Sequence, residues 1–317
     1  MPFCISGVEG RVADYTISLC GPGEKARNLW KEAKVAGHEM SAKVQLNNSW
    51  ELAVVPYIPV FDKIAEHIKG LQEEGIVHLQ SSWTLGGCPS PILKLASYLM
   101  EQKGSTQNFM KEYFGDTMGE IVNRAQQKLS KAFSEFPFHL GVLYYAPQNF
   151  GPTAPFFLKN TGYEATMIGF PFDDIEKWRA IYPKEVLKSQ FKRLCVDWEK
   201  GVEILRESDE LSEEAQEVLV MAEVCYCHFL SAYHHIAFNN ARGEDISAAD
   251  EEEKYIMLEI VKAEMENIQR LIELRLKDSR IGYESSNHYF YSLQDLKEKM
   301  INLDACEKAL KQMKCKK

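Results

Sequence analysis

The chain has 317 residues, of which 45% are hydrophobic and 26% are charged, the proportions of an ordinary globular protein. They exclude a disordered or collagen-like chain, and a net charge of −9 with scattered lysines excludes the basic footprint of a nucleic-acid-binding protein. The N-terminus lacks a signal-peptide pattern and no apolar run is long enough to span a membrane. We therefore expect a cytoplasmic protein that binds neither nucleic acid nor a membrane.

The first hundred residues alternate between strand-like and helical patterns. Strands are predicted at 15–20, 42–46 and 76–80, and amphipathic helices at 24–36 and 60–74. Strand, helix, strand, helix, strand with short links is typical of a parallel sheet with right-handed crossovers.

Long helical patterns replace this alternation beyond residue 90. Apolar residues recur at helical spacing over 117–136, 184–206, 211–241 and 251–277, and a last helix is predicted over roughly 293–314. This spacing gives each helix one buried face, which predicts that the helices pack together as a bundle.

A segment rich in Pro, Gly and aromatic residues, at about 144–182, lies between the first two bundle helices. It is too long for a simple linker and too aromatic for a disordered segment. We expect it to pack against the strand-containing part of the chain.

The number of strand units limits the fold. A closed (β/α)8 barrel needs eight strands and about 250 residues, whereas this chain supplies three units, so either a small open α/β unit packs on the bundle or the barrel is truncated. We favour truncation, which predicts an α/β plus all-α protein with a partial β/α barrel at 1–104 and a helical domain at 105–317. The open strand edges predict self-association or pairing with a missing N-terminal half of the barrel.

Polar and aromatic side chains follow two of the predicted strands. Asn47, Asn48, Trp50 and Glu51 follow the second strand, and Trp83 follows the third. Strand ends are where a β/α barrel builds its site. Amide side chains both donate and accept hydrogen bonds, as sugar hydroxyls require, and an indole face suits the apolar face of a pyranose. These residues predict a carbohydrate partner.

Four segments carry a resemblance to a known family. They are Lys43–Glu51, Ser82–Pro91, Gly169–Asp174 and Gly282–His288. Together they resemble the C-terminal half of bacterial proteins related to TIM-barrel glycoside hydrolases, with a helical domain after the barrel. The resemblance implies that the three units are the sixth, seventh and eighth of the barrel and that the protein acts on a saccharide.

Glu51 is the predicted catalytic residue. Glycoside hydrolysis usually uses two carboxylates across the scissile bond, and Glu51 is the carboxylate that closely follows a strand within the polar and aromatic cluster. The resemblance implies a nucleophile at the end of strand seven, with Trp83 as the floor of a sugar subsite, and Glu51→Gln would then abolish turnover without unfolding the protein. Two alternatives remain open, a non-catalytic substrate contact and a structural role near a helix start.

Asp173 and Asp174 are predicted substrate contacts, with the alternative that the pair begins a helix. His228, His234 and His235 lie in one helical pattern with no matching carboxylate motif, so buried histidines are favoured over a metal site. The eight cysteines are dispersed, which favours reduced thiols over disulfides. The sequence predicts no cofactor and no metal.

Two classes of function follow from these patterns. The first is a glycoside-hydrolase-like protein, acting on an unidentified saccharide with Glu51 and Trp83 in its pocket. The second is a non-catalytic carbohydrate-binding or interaction protein.

Overall fold

The structure is a computed structural model, which describes residues 1–12, 16–82, 88–166, 173–208, 210–284 and 289–314. Helices dominate these residues, and strands contribute only short ladders. In chain order the elements are β1 (Pro2–Ile5), β2 (Val8–Arg11), α1 (Glu24–Val35), β3 (Ser41–Lys43), α2 (Phe61–Glu73), β4 (His78–Gln80), α3 (Pro91–Met100), α4 (Thr106–Phe114), α5 (Asp116–Phe133), α6 (Leu140–Tyr145), α7 (Ile175–Trp178), α8 (Lys184–Arg206), α9 (Glu213–Arg242), a 3₁₀ turn (Ile246–Ala248), α10 (Glu251–Lys277), β5 (Tyr283–Glu284), β6 (Tyr289–Phe290) and α11 (Leu293–Gln312).

The described strands pair as separate two-stranded sheets. β1 pairs with β2 and β5 pairs with β6, both antiparallel, whereas β3 and β4 are parallel with Ser41 opposite His78. The parallel ladder continues past the strands, because the Val44 amide donates to the Gln80 carbonyl at 2.8 Å. Helix α2 connects β3 to β4, so this part is a single strand–helix–strand unit.

The predicted fold class, α/β with three barrel units plus a helical bundle, is wrong for the described residues. No part of a barrel is present among them, since β3 and β4 are their one parallel pair of strands. One difference lies in the expected first strand at 15–20, of which residues 16–20 are described and form no strand. The amides of Ile17 and Ser18 donate to the Glu51 carboxylate, at 2.8 and 2.9 Å, so they are not available to a strand ladder.

The long helices predicted beyond residue 90 are present and pack in chain order. α5 contacts α8, α8 contacts α9, α9 contacts α10 and α10 contacts α11. Phe133, Trp198 and Phe229 meet between three of these helices, with ring centroids 5.2 to 6.2 Å apart. Burial of this stripe from each helix forms the core, as the 3.6-residue spacing predicts.

Side-chain caps fix where these helices begin. The Ser212 hydroxyl accepts a hydrogen bond from the Ala215 amide at the start of α9. α10 and α11 begin with capping boxes, in which the Asp250 and Ser292 side chains each bond reciprocally with the residue three positions later. Each cap satisfies amides that have no partner within the helix, and each stabilises its helix by about 1 kcal/mol.

The aromatic segment after α6 packs against the segment that follows β3. The Ala53 amide donates to the Asn149 side chain at 2.8 Å, and the Gly282 amide donates to the Val54 carbonyl at 2.8 Å. Residues 51–61 are buried. Among the described residues, no helix has both the length and the apolar character needed to cross a lipid bilayer.

Buried histidines predict a loss of stability in acid. Burial lowers the pKa of His67 and of His228 to about 4 and that of His235 to about 3. An unfolded chain protonates its histidines near pH 6.5, so it binds more protons than the native state as the pH falls from 6.5 towards 4. The stabilisation that the neutral, buried histidines contribute is complete above pH 6.5 and is lost as the pH falls from 6.5 towards 4. Each histidine loses about 1.4 kcal/mol for every unit by which its pKa in the folded protein lies below that in the unfolded chain.

Urea denaturation at a series of pH values measures this loss. We expect the free energy of unfolding to fall steadily below pH 6.5, and His228→Asn to weaken that dependence. His38 is exposed, so His38→Asn is the matched control and is expected to leave the dependence unchanged. A free energy of unfolding that stays constant from pH 7 to pH 4 would contradict the prediction.

Candidate functional site

The two predicted asparagines are buried among protein partners. Asn47 donates from Nδ2 to the Cys88 carbonyl at 2.6 Å and accepts at Oδ1 from the Ser90 hydroxyl at 2.5 Å. Asn48 donates to the Ala53 carbonyl at 3.0 Å. Ser90 is also the N-cap of α3, so Asn47 ties the end of the β3–β4 ladder to the start of that helix.

Glu51 is 1% exposed, and both of its carboxylate oxygens accept hydrogen bonds. Oε1 accepts from the Thr16 hydroxyl at 2.7 Å and from the Ser18 amide at 2.9 Å. Oε2 accepts from the Ile17 amide at 2.8 Å and from the Ser49 hydroxyl at 3.0 Å. These contacts favour the structural alternative, in which the carboxylate anchors the 16–18 segment, and the catalytic role stays a prediction. Its predicted companion in the pocket, Trp83, lies outside the described residues.

Trp50 begins an aromatic surface. It is half-buried, and its ring meets that of Tyr144 edge-on at 4.5 Å. The rings of Tyr144 and Tyr145 follow at 6.3 Å, and both are half-buried. We call Trp50, Tyr144 and Tyr145 the aromatic platform.

Asp173 and Asp174 lie at the start of the short helix α7. Asp174 is its N-cap, accepting from the Lys177 amide at 3.2 Å, as the alternative interpretation of this pair predicts. Asp173 accepts from the Thr161 amide at 2.7 Å and the Thr161 hydroxyl at 2.8 Å. It also forms a buried ion pair with Arg242 at 3.5 Å. Burial lowers the pKa of Arg242, and the Asp173 charge opposes that effect.

A cavity of about 290 Å³ opens beside these two aspartates. Tyr163, which is 73% exposed, stands in its wall, together with the amide side chains of Asn160 and Asn239. The acidic residues of the wall are Glu164, Asp173, Asp174, Glu176 and Glu244, and the basic ones are Lys184 and Arg242. We call this cavity the α7 cleft, and acidic groups are in excess there.

Lys177 connects the aromatic platform with the α7 cleft. Its ammonium lies 5.0 Å above the Tyr145 ring and 3.1 Å from the carboxylate of Glu164, which lines the cleft. Side-chain contacts therefore link Trp50, through Tyr144, Tyr145 and Lys177, to Glu164 in the wall of the cleft. The structure does not join the aspartates to Asn47, Asn48 or Glu51 by any hydrogen bond between described residues.

Sequence reasoning missed several residues of this surface. Arg242 ends α9 and pairs with an aspartate 69 residues earlier, a separation over which no local pattern could reveal the contact. Tyr144 and Tyr145 lie in the aromatic segment that the sequence singled out, but nothing local distinguished them from its other rings. Within the described ranges, no three His, Cys, Asp or Glu side chains are placed to hold a metal ion.

Comparison with solved structures finds a distant likeness. No family model matches the chain, and no curated protein matches it. A solved structure described as a GH138 enzyme targeting pectin rhamnogalacturonan II is similar, with a TM-score of 0.46 and 11% sequence identity. The similarity covers 94% of this chain and 51% of that one, so the chain spans about half the length of the enzyme. At this level the likeness carries no conclusion about substrate or mechanism.

Proposed function

We propose that this chain is a glycoside-hydrolase-like protein that binds a neutral saccharide along the aromatic platform and the α7 cleft. The observation that carries the proposal is the continuity of the two, through Lys177 beside Tyr145 and Glu164. Half-buried aromatic rings offer flat apolar faces to pyranose rings, and the cleft offers the hydroxyl of Tyr163 and the exposed carboxylates of Glu164 and Glu176 to their hydroxyls. A volume of about 290 Å³ is at the lower limit of ligand pockets.

The charge of the cleft favours neutral over acidic sugars. Carboxylates outnumber basic side chains in its wall, and the basic Arg242 is already paired with Asp173. A uronic acid would place its own carboxylate among the five acidic side chains of the wall, against which the described wall sets Lys184 besides the paired Arg242, so like-charge repulsion outweighs attraction there. We therefore propose neutral oligosaccharides as the ligand class.

Binding, rather than hydrolysis, is the activity that the described residues support. The Glu51 carboxylate is enclosed by its partners from Thr16 to Ser18 and by Ser49, and Asp173 is held by Arg242. A nucleophilic Glu51 would require the 16–18 segment to release it first. Hydrolysis through Glu51 and Trp83 therefore remains the weaker proposal, and the stability of a Glu51 variant separates the two.

Saccharide titrations test the binding proposal. Calorimetry with neutral xylo-, manno-, galacto- and cello-oligosaccharides is expected to show binding to at least one series, and oligogalacturonate is expected to bind less tightly. Tyr144→Ala and Tyr163→Ala should each weaken binding by roughly threefold to tenfold, the effect of one aromatic contact. Tyr255→Ala is the matched control, because Tyr255 is 64% exposed on α10 and lies outside both surfaces. Equal losses of saccharide affinity in all three variants, or no loss of affinity in any of them, would contradict the proposed surface.

A further inference from the structure

A second cavity, of about 140 Å³, lies between α1, β3 and α2 and shares no residue with the α7 cleft. Its apolar wall comes from all three elements. The apolar side chains in that wall are Pro22, Ala26, Trp30, Ala42, Val44 and Leu71. For comparison, an engineered apolar cavity of about 150 Å³ in another protein accommodates benzene. The volume therefore suits one six-membered ring.

His67 supplies an unsatisfied polar group in the wall of this cavity. The residue is 6% exposed, and its Nε2 has no hydrogen-bond partner in the part of the chain that the structure describes. The Thr16 backbone acts on the ring and raises its pKa against the larger effect of burial. Because Nε2 has no partner among the described residues, we assign the proton of the neutral ring to Nδ1. Burial keeps the pKa of His67 at about 4, so the ring is neutral near pH 7. A neutral imidazole with its proton on Nδ1 has an acceptor lone pair on Nε2.

Water is a poor occupant for this position. A buried water needs two to four polar partners. Lys43 also lines the wall but is exposed to solvent, and the buried Thr16 and Gln45 side chains are engaged. The Thr16 hydroxyl donates to Glu51 at 2.7 Å, and the Gln45 amide oxygen accepts from the Trp50 amide at 2.6 Å. An occupant with an apolar body and a single donor fits the wall better.

We propose that this cavity binds a small, uncharged, single-ring phenol, whose hydroxyl donates to His67 Nε2 while its ring packs against Trp30 and Leu71. Carboxylates and ketones are excluded as the polar group, because they cannot donate to an acceptor nitrogen. The site is independent of the proposed saccharide surface.

Phenol and toluene form the matched pair of probes, because they differ by one hydroxyl in place of a methyl group. Two-dimensional NMR of the isotopically labelled full chain gives both affinities, and the imidazole nitrogen shift of His67 reports the hydrogen bond. We expect phenol to bind at least tenfold more tightly than toluene, the value of one buried hydrogen bond, and to move the Nε2 resonance.

Two variants separate the hydrogen bond from the cavity. His67→Phe is expected to abolish the preference for phenol, and Ala26→Leu, which fills the cavity, is expected to abolish binding of both probes. Ala36→Leu is the control, since Ala36 is exposed beyond the end of α1, and circular dichroism verifies folding. The proposal is overturned by equal affinities of the wild type for both probes, by phenol binding that survives Ala26→Leu, or by no binding of phenol up to its solubility limit.

Discussion

Replacing Glu264 with alanine is expected to lower the free energy of unfolding by roughly 3–5 kcal/mol, the cost of leaving a buried charge without its partner. Glu264 is fully buried in α10 and accepts from the Ser231 hydroxyl at 2.5 Å and from His234 Nδ1 at 2.7 Å. The ammonium of the equally buried Lys299 lies 4.0 Å away. Burial opposes ionisation of Glu264, but His234, Lys299 and His235 together hold its pKa below the ordinary value.

Lys299 explains why the loss should be large. Burial lowers its pKa to about 8, and the Glu264 charge opposes that shift. Its other partners are neutral, namely the Ala154 carbonyl and the imidazole of His235 at 3.3 Å. Without Glu264 the ammonium would have no opposite charge among the described residues and would have to lose its proton or admit water.

Urea denaturation of a double variant tests this account of the cluster. Glu264→Leu with Lys299→Met removes both charges, so it is expected to unfold less readily than Glu264→Leu alone. Glu266→Gln is the control, because it changes an exposed carboxylate on the same helix. It should change the free energy of unfolding by less than about 0.5 kcal/mol. If the free energy of unfolding lost in the double variant equals the sum of the losses in the two single variants, the two side chains do not stabilise each other.

Glu51→Gln is expected to destabilise the fold by about 3 kcal/mol. An amide in place of the carboxylate turns one acceptor into a donor, and that donor faces the hydroxyl and amide groups of Thr16, Ile17, Ser18 and Ser49. At least one buried hydrogen bond is lost and a donor is left unpaired, and bonds to a charged acceptor are the stronger ones. Glu32→Gln on the exposed face of α1 is the control.

The same variant separates the structural role of Glu51 from the catalytic one. A structural Glu51 predicts a lower denaturation midpoint, whatever the activity on aryl glycosides. A catalytic Glu51 predicts the wild-type midpoint together with lost turnover. The second outcome would contradict our interpretation and restore the nucleophile that the family resemblance implies.

Periodicity predicted the helices well because each buries one face along its whole length. The helices around Phe133, Trp198 and Phe229 lie where their apolar spacing places them. Of the expected strand at 15–20, residues 16–20 are described, and they form no strand for a reason that periodicity cannot detect. A strand requires partners for its amides, and here the amides of Ile17 and Ser18 are taken by a carboxylate more than 30 residues away.

The site was predictable only in part. Asp174 carries a local capping signal, and the aromatic richness around Tyr144 was visible in the sequence. The pairing of Asp173 with Arg242, and the position of Lys177 between platform and cleft, depend on contacts between distant segments. The division of the chain at residue 104, and the self-association expected from open barrel edges, stay predictions.

Chemical-shift mapping of the labelled chain with the tightest-binding neutral oligosaccharide tests the central claim most directly. We predict that saturation moves the resonances of Tyr144, Tyr145, Tyr163 and Lys177 together, with one common dissociation constant. The Tyr255 resonance on α10 should not move. Shifts confined to residues outside the aromatic platform and the α7 cleft, or no shifts with any neutral oligosaccharide, would contradict the claim that this surface binds saccharides.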